Sequence, residues 1–464
     1  MGIKRFYSWF KKHDELNKCI SPVVPSHIDH LLIDMNSIIH SSAQYVYKYG
    51  KYAPCKPTIV IPKRRNIKRT SKTEPPINDL YDRVKLEVNK IIETTNPQKS
   101  VYLAIDGVAP MAKQNQQRQR RYLASINREG SFDSTCITAG TNFMKNLSLN
   151  LHNKNWISKT IEVTISDDLE PGEGEHKLMA WIRNRTDDDT YCVVGSDADL
   201  ILLCAVLKKT HVYIMRESEY ININKVRLNL PVSPDDLIIF SCFIGNDFLP
   251  SIPSFDIKES NSVIGALDFF FDNYNKPLVK NGYLNVSEII RILKLFRDRE
   301  QSIMEARALD EERFPNPLWK GDIEMYRKDY LDVKIEKSIG FCEYDPVRDF
   351  MKTVQWVYLY YKEGTTYWDW FYPYHYALHA DIFVDYIEDT RIISYSFKKS
   401  LPSSTDDQLL RVIPFASKNL LPLHLHDRAE KIAIQYPRFK IDNSGKREEW
   451  EAITIVDFVN LDKI

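Results

Sequence analysis

Seven carboxylates in the first 250 residues stand where short apolar runs end or glycine-punctuated turns begin: Asp34, Asp106, Glu173, Glu175, Asp197, Asp199 and Asp247. Asp34 follows HLLI, Asp106 follows SVYLAI, and Asp197 and Asp199 follow YCVVG. Glu173 and Glu175 sit two apart in PGEGE, and Asp247 lies just past an apolar run that stops at Gly245. One aspartate at a strand end is a common turn or cap residue. Seven carboxylates brought together repel strongly unless cations neutralise them. The set is all oxygen, without His or Cys at ligand spacing, which selects Mg²⁺ or Mn²⁺ over zinc. Two such ions about 4 Å apart suit phosphodiester hydrolysis, one activating water and one stabilising the leaving oxygen.

A cationic set follows Asp106 directly. After Pro110 the sequence MAKQNQQRQRRY contains neither Gly nor Pro and reads as a helix. Lys113, Gln117, Arg120 and Arg121 then fall at i, i+4, i+7 and i+8, on one face. Three cations and an amide suit a phosphate monoester better than a base edge. Taken alone, such a helix is as well read as a solvated basic face; the strand-end Asp106 beside it favours the phosphate site. A cationic pocket next to a hydrolytic centre fits an enzyme that grips a 5′-terminal phosphate and cuts the next bond. That is 5′→3′ exonucleolysis.

The elements that would position these residues alternate strand and helix. Strands are predicted at 30–33, 100–105, 161–165, 191–195 and 211–215. Helices are predicted over 1–20 (short and amphipathic, with Phe6, Trp9 and Phe10 inward), 36–47, 77–94, 136–155 and 237–244, the last capped by Asp235. This pattern over residues 1–255 predicts an α/β fold with a mainly parallel central sheet and helices on both faces. Ligand sites in such sheets lie beyond the carboxyl ends of the strands, so the acidic loops should converge. Residues 256–340 read as a charged helical connector, and 341–464 as an aromatic-rich, mixed α+β region packed against the sheet. Residues 48–76, rich in Pro, Lys and Arg, read as a loop: a nucleic-acid contact, a nuclear signal or a solvated insertion.

Bulk composition sets the remaining bounds. With 43% hydrophobic and 27% charged residues the chain is an ordinary globular protein. Its 63 Lys+Arg cancel its 63 Asp+Glu, so nucleic-acid affinity must come from local patches. Seven scattered cysteines without a CxxC pair give no sign of a zinc knuckle or disulfide framework, and a reducing compartment is the default expectation. No signal peptide is visible and no apolar run is long enough to span a bilayer. The expectation is a cytoplasmic protein, with the nucleus as the alternative, acting as a monomer without a membrane.

The quoted strings resemble the Xrn-type 5′→3′ exoribonucleases nearly end to end. The resemblance runs through MGIKRFYSWF (1–10), LIDMNSIIH (32–40), DGVAPMAKQNQQRQRRY (106–122), CITAGTNFM (136–144), PGEGEHKLMAWIR (171–183), GSDADLI (195–201), FIGNDFLP (243–250), WDWFYPYHY (368–376) and YPRFKIDNSGKREEWE (436–451). It implies a PIN/FEN-like nuclease core and a metal set on the seven carboxylates named above. It also implies a 5′-monophosphate pocket on Lys113, Gln117, Arg120 and Arg121, with 5′ nucleotides sandwiched between His40 and either Trp368 or Trp370. Such planes hold unstacked bases without sequence preference. The expected activity is Mg²⁺-dependent, processive degradation of 5′-monophosphorylated single-stranded RNA to mononucleotides in RNA decay, coupled to a decapping activity.

The chain departs from the family pattern at Lys4 and Leu378, where the family usually has Pro. The helical excursion after NQQRxRR is nearly absent, and 48–76 has no evident counterpart. The chain ends soon after the second region, as in a compact, viral or divergent eukaryotic member. Two other readings remain: a 5′ flap or DNA exonuclease, which the aromatic second region disfavours, and an RNA-end-binding scaffold without catalysis, which the intact acidic set disfavours.

Overall fold

Three short strands carry the centre of the molecule because almost every side chain on them is apolar and buried: β2 (His30–Asp34), β3 (Ser100–Ala104) and β5 (Tyr191–Val194). Leu32, Tyr102 and Val193 enter one core, whereas Leu31, Ile33, Val101, Leu103, Cys192 and Val194 enter another on the opposite face. A strand covered on both faces cannot alternate apolar with polar, which is why these segments read as unbroken hydrophobic runs. The computed structural model describes residues 2–53, 75–126, 132–259, 263–310, 315–335, 345–364, 367–390 and 395–464. Most of the basic segment (54–74) and the end of the shortened excursion (127–131) lie outside them.

The sheet has the order β1-β7-β6-β5-β2-β3-β4, with β1 (Ile20–Ser21), β4 (Glu162–Ser166), β6 (Val212–Arg216) and β7 (Glu219–Asn222) flanking the three central strands. From β6 to β4 the pairing is parallel, and only the β6–β7 and β7–β1 pairings at one edge are antiparallel, so β7 alone runs against the rest. From β2 the chain builds outward to β3 and β4, then returns to place β5 on the other side of β2. The crevice at that reversal, outside the strand ends, is where an open sheet of this kind binds ligands. Helices α3 (Met35–Tyr47), α4 (Ile77–Thr95) and α6 (Asn142–His152) fill one face. On the other lie α7 (Gly174–Arg183), α8 (Asp199–Ala205) and α10 (Pro234–Ile244). The mainly parallel sheet with helices on both faces is therefore as expected.

Several local expectations need correction. Residues 1–20 are not one helix: α1 (Phe6–Lys12) and α2 (Asp14–Asn17) are separated at His13, whose extended backbone (ψ 120°) ends the first. Strand β1 follows; two residues are too few to show alternation. Helix α6 starts at Asn142 rather than 136, because Thr141 caps it by accepting the Met144 N–H at 3.3 Å. Asp235 is not a cap. Ser233 accepts from Asp236 N–H at 3.1 Å and Pro234 occupies the first turn, the arrangement that best satisfies a helix start. Asp235 instead pairs with Lys362 at 2.8 Å.

Beyond residue 255 the core on the α7 side continues into α11 (Ala266–Asn273), α12 (Val286–Arg297), α13 (Glu300–Ala308), α14 (Ile323–Lys334), α15 (Pro346–Glu363) and α16 (Ala380–Thr390). Trp356 on α15 is 2% exposed and shares this core with the sheet. Helices α17 (Thr405–Val412) and α18 (His426–Gln435) form a smaller cluster near a hairpin, Phe439–Asp442 with Ile453–Val456. The described cysteines Cys19, Cys136, Cys192, Cys204 and Cys242 are buried free thiols. No helix among the described residues is long and apolar enough to cross a membrane.

Candidate active site

Asp34 is both the last residue of β2 and the N-cap of α3, accepting the Asn36 N–H at 3.2 Å. Asp106 lies two residues past β3, next to Asp34 across the sheet because β2 and β3 pair in register up to Asp34 and Ala104. Asn36 ties the two loops together. Its amide donates to Asp106 Oδ2, and its Oδ1 accepts the Asp106 N–H at 3.4 Å. The other Asp106 oxygen accepts Gly174 N–H at 2.6 Å. A Cβ on Gly174 would lie 2.8 Å from Asp34 Oδ1 and 3.3 Å from Asp106 Oδ1, so the glycine lets the Glu-Gly-Glu turn close on both strand ends.

The remaining carboxylates complete the ring. Glu173, 3% exposed, is 2.7 Å from Lys113 Nζ, and Asp247 is 2.8 Å from the same ammonium. Asp199 Oδ1 accepts the main-chain N–H of Ile3 at 3.1 Å, and Asp247 Oδ1 that of Gly2 at 3.0 Å. Gly2 has φ +48°, and a Cβ there would fall on the Asp199 carboxylate, so no larger residue fits. Burial, with Asp106 and Asp197 beside it, pushes Asp34 well above the usual carboxylate range. Burial does the same to Glu175 against the opposing pull of Lys113, and lifts Asp199 to about 6. Although burial opposes it, the carboxylates of Asp247, Glu173 and Glu175 hold the Lys113 ammonium firmly charged. Among the described residues Lys113 is the ammonium paired with these carboxylates, fewer cations than carboxylates, and an all-oxygen donor set of this kind suits a divalent cation.

Lys113, Gln117, Arg120 and Arg121 lie along α5 (Met111–Ile126), Lys113 buried, Gln117 and Arg121 half-buried and Arg120 exposed. They line one cavity of about 720 Å³ together with Asp34, Asp106, Glu173, Glu175, Asp197 and His40. Lys113 points into the carboxylates, while Arg121 donates to Gln117 Oε1 at 3.3 Å. No carboxylate among the described residues forms an ion pair with Arg120 or Arg121. Burial and the adjacent Arg120 push Arg121 down to about 9, and burial with both arginines holds His40 near 4, a neutral imidazole. Arg118, from the same QQRQRR string, does something else. Being 2% exposed, it donates to the carbonyls of Asp457 at 3.0 Å and Arg411 at 2.7 Å, locking α5 to the C-terminal region.

The two tryptophans separate. Trp370 is anchored, its Nε1 donating to Thr353 Oγ1 at 3.0 Å, with Lys352 4.1 Å over its ring and Phe397 edge-on at 5.9 Å. The Trp368 carbonyl accepts from Met111 N–H at 2.8 Å, fixing it at the start of α5. Neither ring lines the 720 Å³ cavity.

Some contributors had no local signal. Tyr360 and Tyr361 of α15 donate their hydroxyls to Glu173 and, at 2.9 Å, to Asp199. His176 stacks on Tyr360 at 3.7 Å, and its ligand atoms cluster with those of Glu173 and Glu175, so a buried imidazole adjoins the oxygen set after all. Burial keeps it neutral. Hydrogen bonds of this type orient ligating carboxylates, and their loss weakens metal affinity roughly 10- to 100-fold. Tyr361→Phe should accordingly weaken divalent-cation binding about tenfold, measured by calorimetry, with little change in melting temperature. Unchanged cation affinity would remove Tyr361 from the site.

Comparison with known proteins settles the family. The model described as XRN 5′-3′ exonuclease N-terminus matches residues 1–130 and 124–218, and that described as Xrn1 helical domain matches 229–323 and 310–464. The chain belongs to the Xrn 5′→3′ exonuclease family. Among curated Xrn proteins, 5′-3′ exoribonuclease 1 of Homo sapiens is 26% identical over 99% of this chain and 33% of its own length. The 5′-3′ exoribonuclease 2 of Yarrowia lipolytica is 22% identical over 94% of this chain and 64% of its own. For 5′-3′ exoribonuclease 1 of Schizosaccharomyces pombe the figures are 23%, 99% and 48%. The chain thus spans between one third and just under two thirds of these relatives. The catalytic core of Rad2 in complex with DNA substrate aligns over 94% of this chain and 99% of that one at 12% identity and a TM-score of 0.42, too slight a likeness to inform the fold.

Proposed function

We propose that this chain is a 5′→3′ exoribonuclease that degrades 5′-monophosphorylated single-stranded RNA processively, one nucleotide at a time. One observation carries the reading: Asp34, Asp106, Glu173, Glu175 and Asp197 line a single cavity with Arg120 and Arg121, and Lys113, on the same wall, pairs with Asp247. Asp34, Asp106, Glu173, Glu175, Asp197, Asp199 and Asp247 would hold two Mg²⁺ ions, for which Mn²⁺ could substitute. Bound there, the ions supply a nucleophile at neutral pH and neutralise the leaving oxygen.

The side chains do the rest. Arg120, Arg121 and Gln117 hold the 5′-phosphate, and because neither guanidinium forms an ion pair among the described residues, both are available for its oxygens. Lys113 partly compensates Glu173 and Asp247 and links the two charged sets. His40, neutral and facing the cavity, offers a flat surface to a base. The opposing plane would come from Trp368 or Trp370; Trp370 is committed to the core, which leaves Trp368, although neither ring lines the cavity as it stands. A grip fitted to one phosphate rejects a 5′-triphosphate or cap, so a decapping or cleaving reaction in the cytoplasm would supply the substrate. Each cut exposes a new 5′-phosphate for the same grip, which gives processivity.

The test is a set of matched RNAs bearing 5′-monophosphate, 5′-triphosphate or cap, with single-stranded DNA alongside, in Mg²⁺ or EDTA. Rapid loss of the monophosphorylated RNA alone, in Mg²⁺ alone, is expected. Equal digestion of all 5′ ends would overturn the phosphate grip, and no digestion would leave a binding protein.

A further inference from the structure

A second cavity, of about 350 Å³, adjoins α5 and touches the candidate active site at two residues, Arg120 and Asp247. Its wall includes Asn115 and Gln116 of α5, His375 from the WDWFYPYHY stretch, and Lys446 from the NSGKREEWE stretch. Neither the acidic set nor the phosphate grip uses any of these four.

Three polar atoms here are buried without a hydrogen-bond partner: Asn115 Nδ2, Gln116 Oε1 and His375 Nδ1. Asn115 is only 8% exposed. A buried polar group without a partner is costly to leave unmet, so three on residues that line one cavity point to a site for a polar ligand. The set is mixed, one donor, one acceptor and an imidazole nitrogen, which matches a heterocyclic base edge or sugar hydroxyls better than a plain anion. His375 stacks on Phe458 at 4.7 Å and 11°, fixing its ring, and burial with Arg438 nearby pushes it down to about 4.

The opposite requirement, an anion, comes from Lys446. Its ammonium has no ion-pair partner among the described residues, and burial together with Lys4 pushes it down to about 8. The carboxylates closest to it in effect are already engaged, since Asp256 and Glu451 pair with Arg5 at 3.2 and 2.6 Å. Gly445, at φ +69°, holds this turn by donating its N–H to the Pro315 carbonyl at 2.9 Å. Trp450, 55% exposed, also borders the cavity and sits 5.8 Å from the Arg5 guanidinium.

We propose that this cavity is a second binding site, for a nucleoside 5′-monophosphate, with the phosphate at Lys446 and the nucleoside at Asn115, Gln116 and His375. The identity of the ligand rests on the function proposed above, whose product is that molecule. Arg120, common to both cavities, makes the site a stopping point for the product as it leaves the grip. Retained there, product slows release rather than competing with RNA.

Isothermal titration of the full chain tests this, with the catalytic cavity filled by a 5′-phosphorylated oligoribonucleotide carrying phosphorothioate linkages. AMP is expected to bind one-to-one with the oligonucleotide in place, at least tenfold more tightly than adenosine or inorganic phosphate. Lys446→Gln and Asn115→Ala should each weaken AMP at least tenfold and leave initial rates on 5′-monophosphorylated RNA within twofold, while Lys446→Arg keeps AMP affinity. AMP displaced by the oligonucleotide, phosphate binding as well as AMP, or affinity unchanged in Lys446→Gln would each overturn the second site. Failure to degrade RNA would instead strike the proposed function, because AMP binding is read without turnover.

Discussion

Replacing Asp34 with Asn should reduce RNA hydrolysis about a thousandfold or more and, in the same protein, raise the stability of the metal-free fold. The two effects share a cause. Burial, Asp106 and Asp197 push the Asp34 carboxyl far above its unfolded value, so its ionised form is strained in the absence of cations. For an acid whose folded pKa is raised, the folded state binds the proton more tightly than the unfolded chain. Stability is therefore greatest below the unfolded value, near 4, and is lost as pH rises through the folded value. Glu175 and Asp199, also raised, contribute in the same direction. Asn at position 34 removes one charge from the cluster, and a gain of about 1–3 kcal/mol at neutral pH is expected in EDTA. Added Mg²⁺ should stabilise the parent strongly and the variant weakly, since only cation binding to the folded state shifts the equilibrium. Thermal melts at several pH values, with and without Mg²⁺, read all of this. A variant less stable than its parent in EDTA would refute the electrostatic account, and full activity would remove Asp34 from the machinery.

Arg121→Ala should abolish the preference for a 5′-monophosphate. Charge-assisted hydrogen bonds are worth about 1.5–3 kcal/mol, so loss of this guanidinium should cut kcat/KM on 5′-monophosphorylated RNA roughly 10- to 100-fold. RNA with a 5′-hydroxyl offers nothing to that guanidinium, so its rate should stay within about twofold and the two substrates should converge. Arg121 sits against Arg120, both burial and that neighbour pushing it down to about 9, and an arriving phosphate relieves the repulsion. Single-turnover rates on the two RNAs decide it: an unchanged ratio would mean that the phosphate is held elsewhere.

The acidic strand ends were legible because buried parallel strands leave an unmistakable apolar run, and a carboxylate closing such a run stands out. Helical spacing likewise singled out Gln117, Arg120 and Arg121, and left Arg118, which turned out to clamp the C-terminal region. What could not be read is what lies far apart in the chain. Tyr360 meets Glu173 across 187 positions, and within WVYLYYKEG its ring is indistinguishable from those that only pack. The Gly2 and Ile3 contacts are made by main-chain amides, which carry no residue signature. Helix starts failed for a smaller reason: Ser233-Pro234 and Thr141 compete with nearby Asp235 and Cys136, and the geometry of the cap decides between them.

The hydroxyls of Tyr360 and Tyr361 and the Arg118 clamp also set a timetable for biosynthesis. Residues 1–255 can leave the ribosome with every carboxylate present, yet Glu173 and Asp199 must wait for α15, and α5 for the carbonyls of Arg411 and Asp457. Domains generally fold as units during synthesis, but here part of the apolar face of α10, at Phe243, packs on Phe350 of α15, which emerges only later. In the reading proposed above, a nascent chain would thus lack a finished acidic site until α15 has been made.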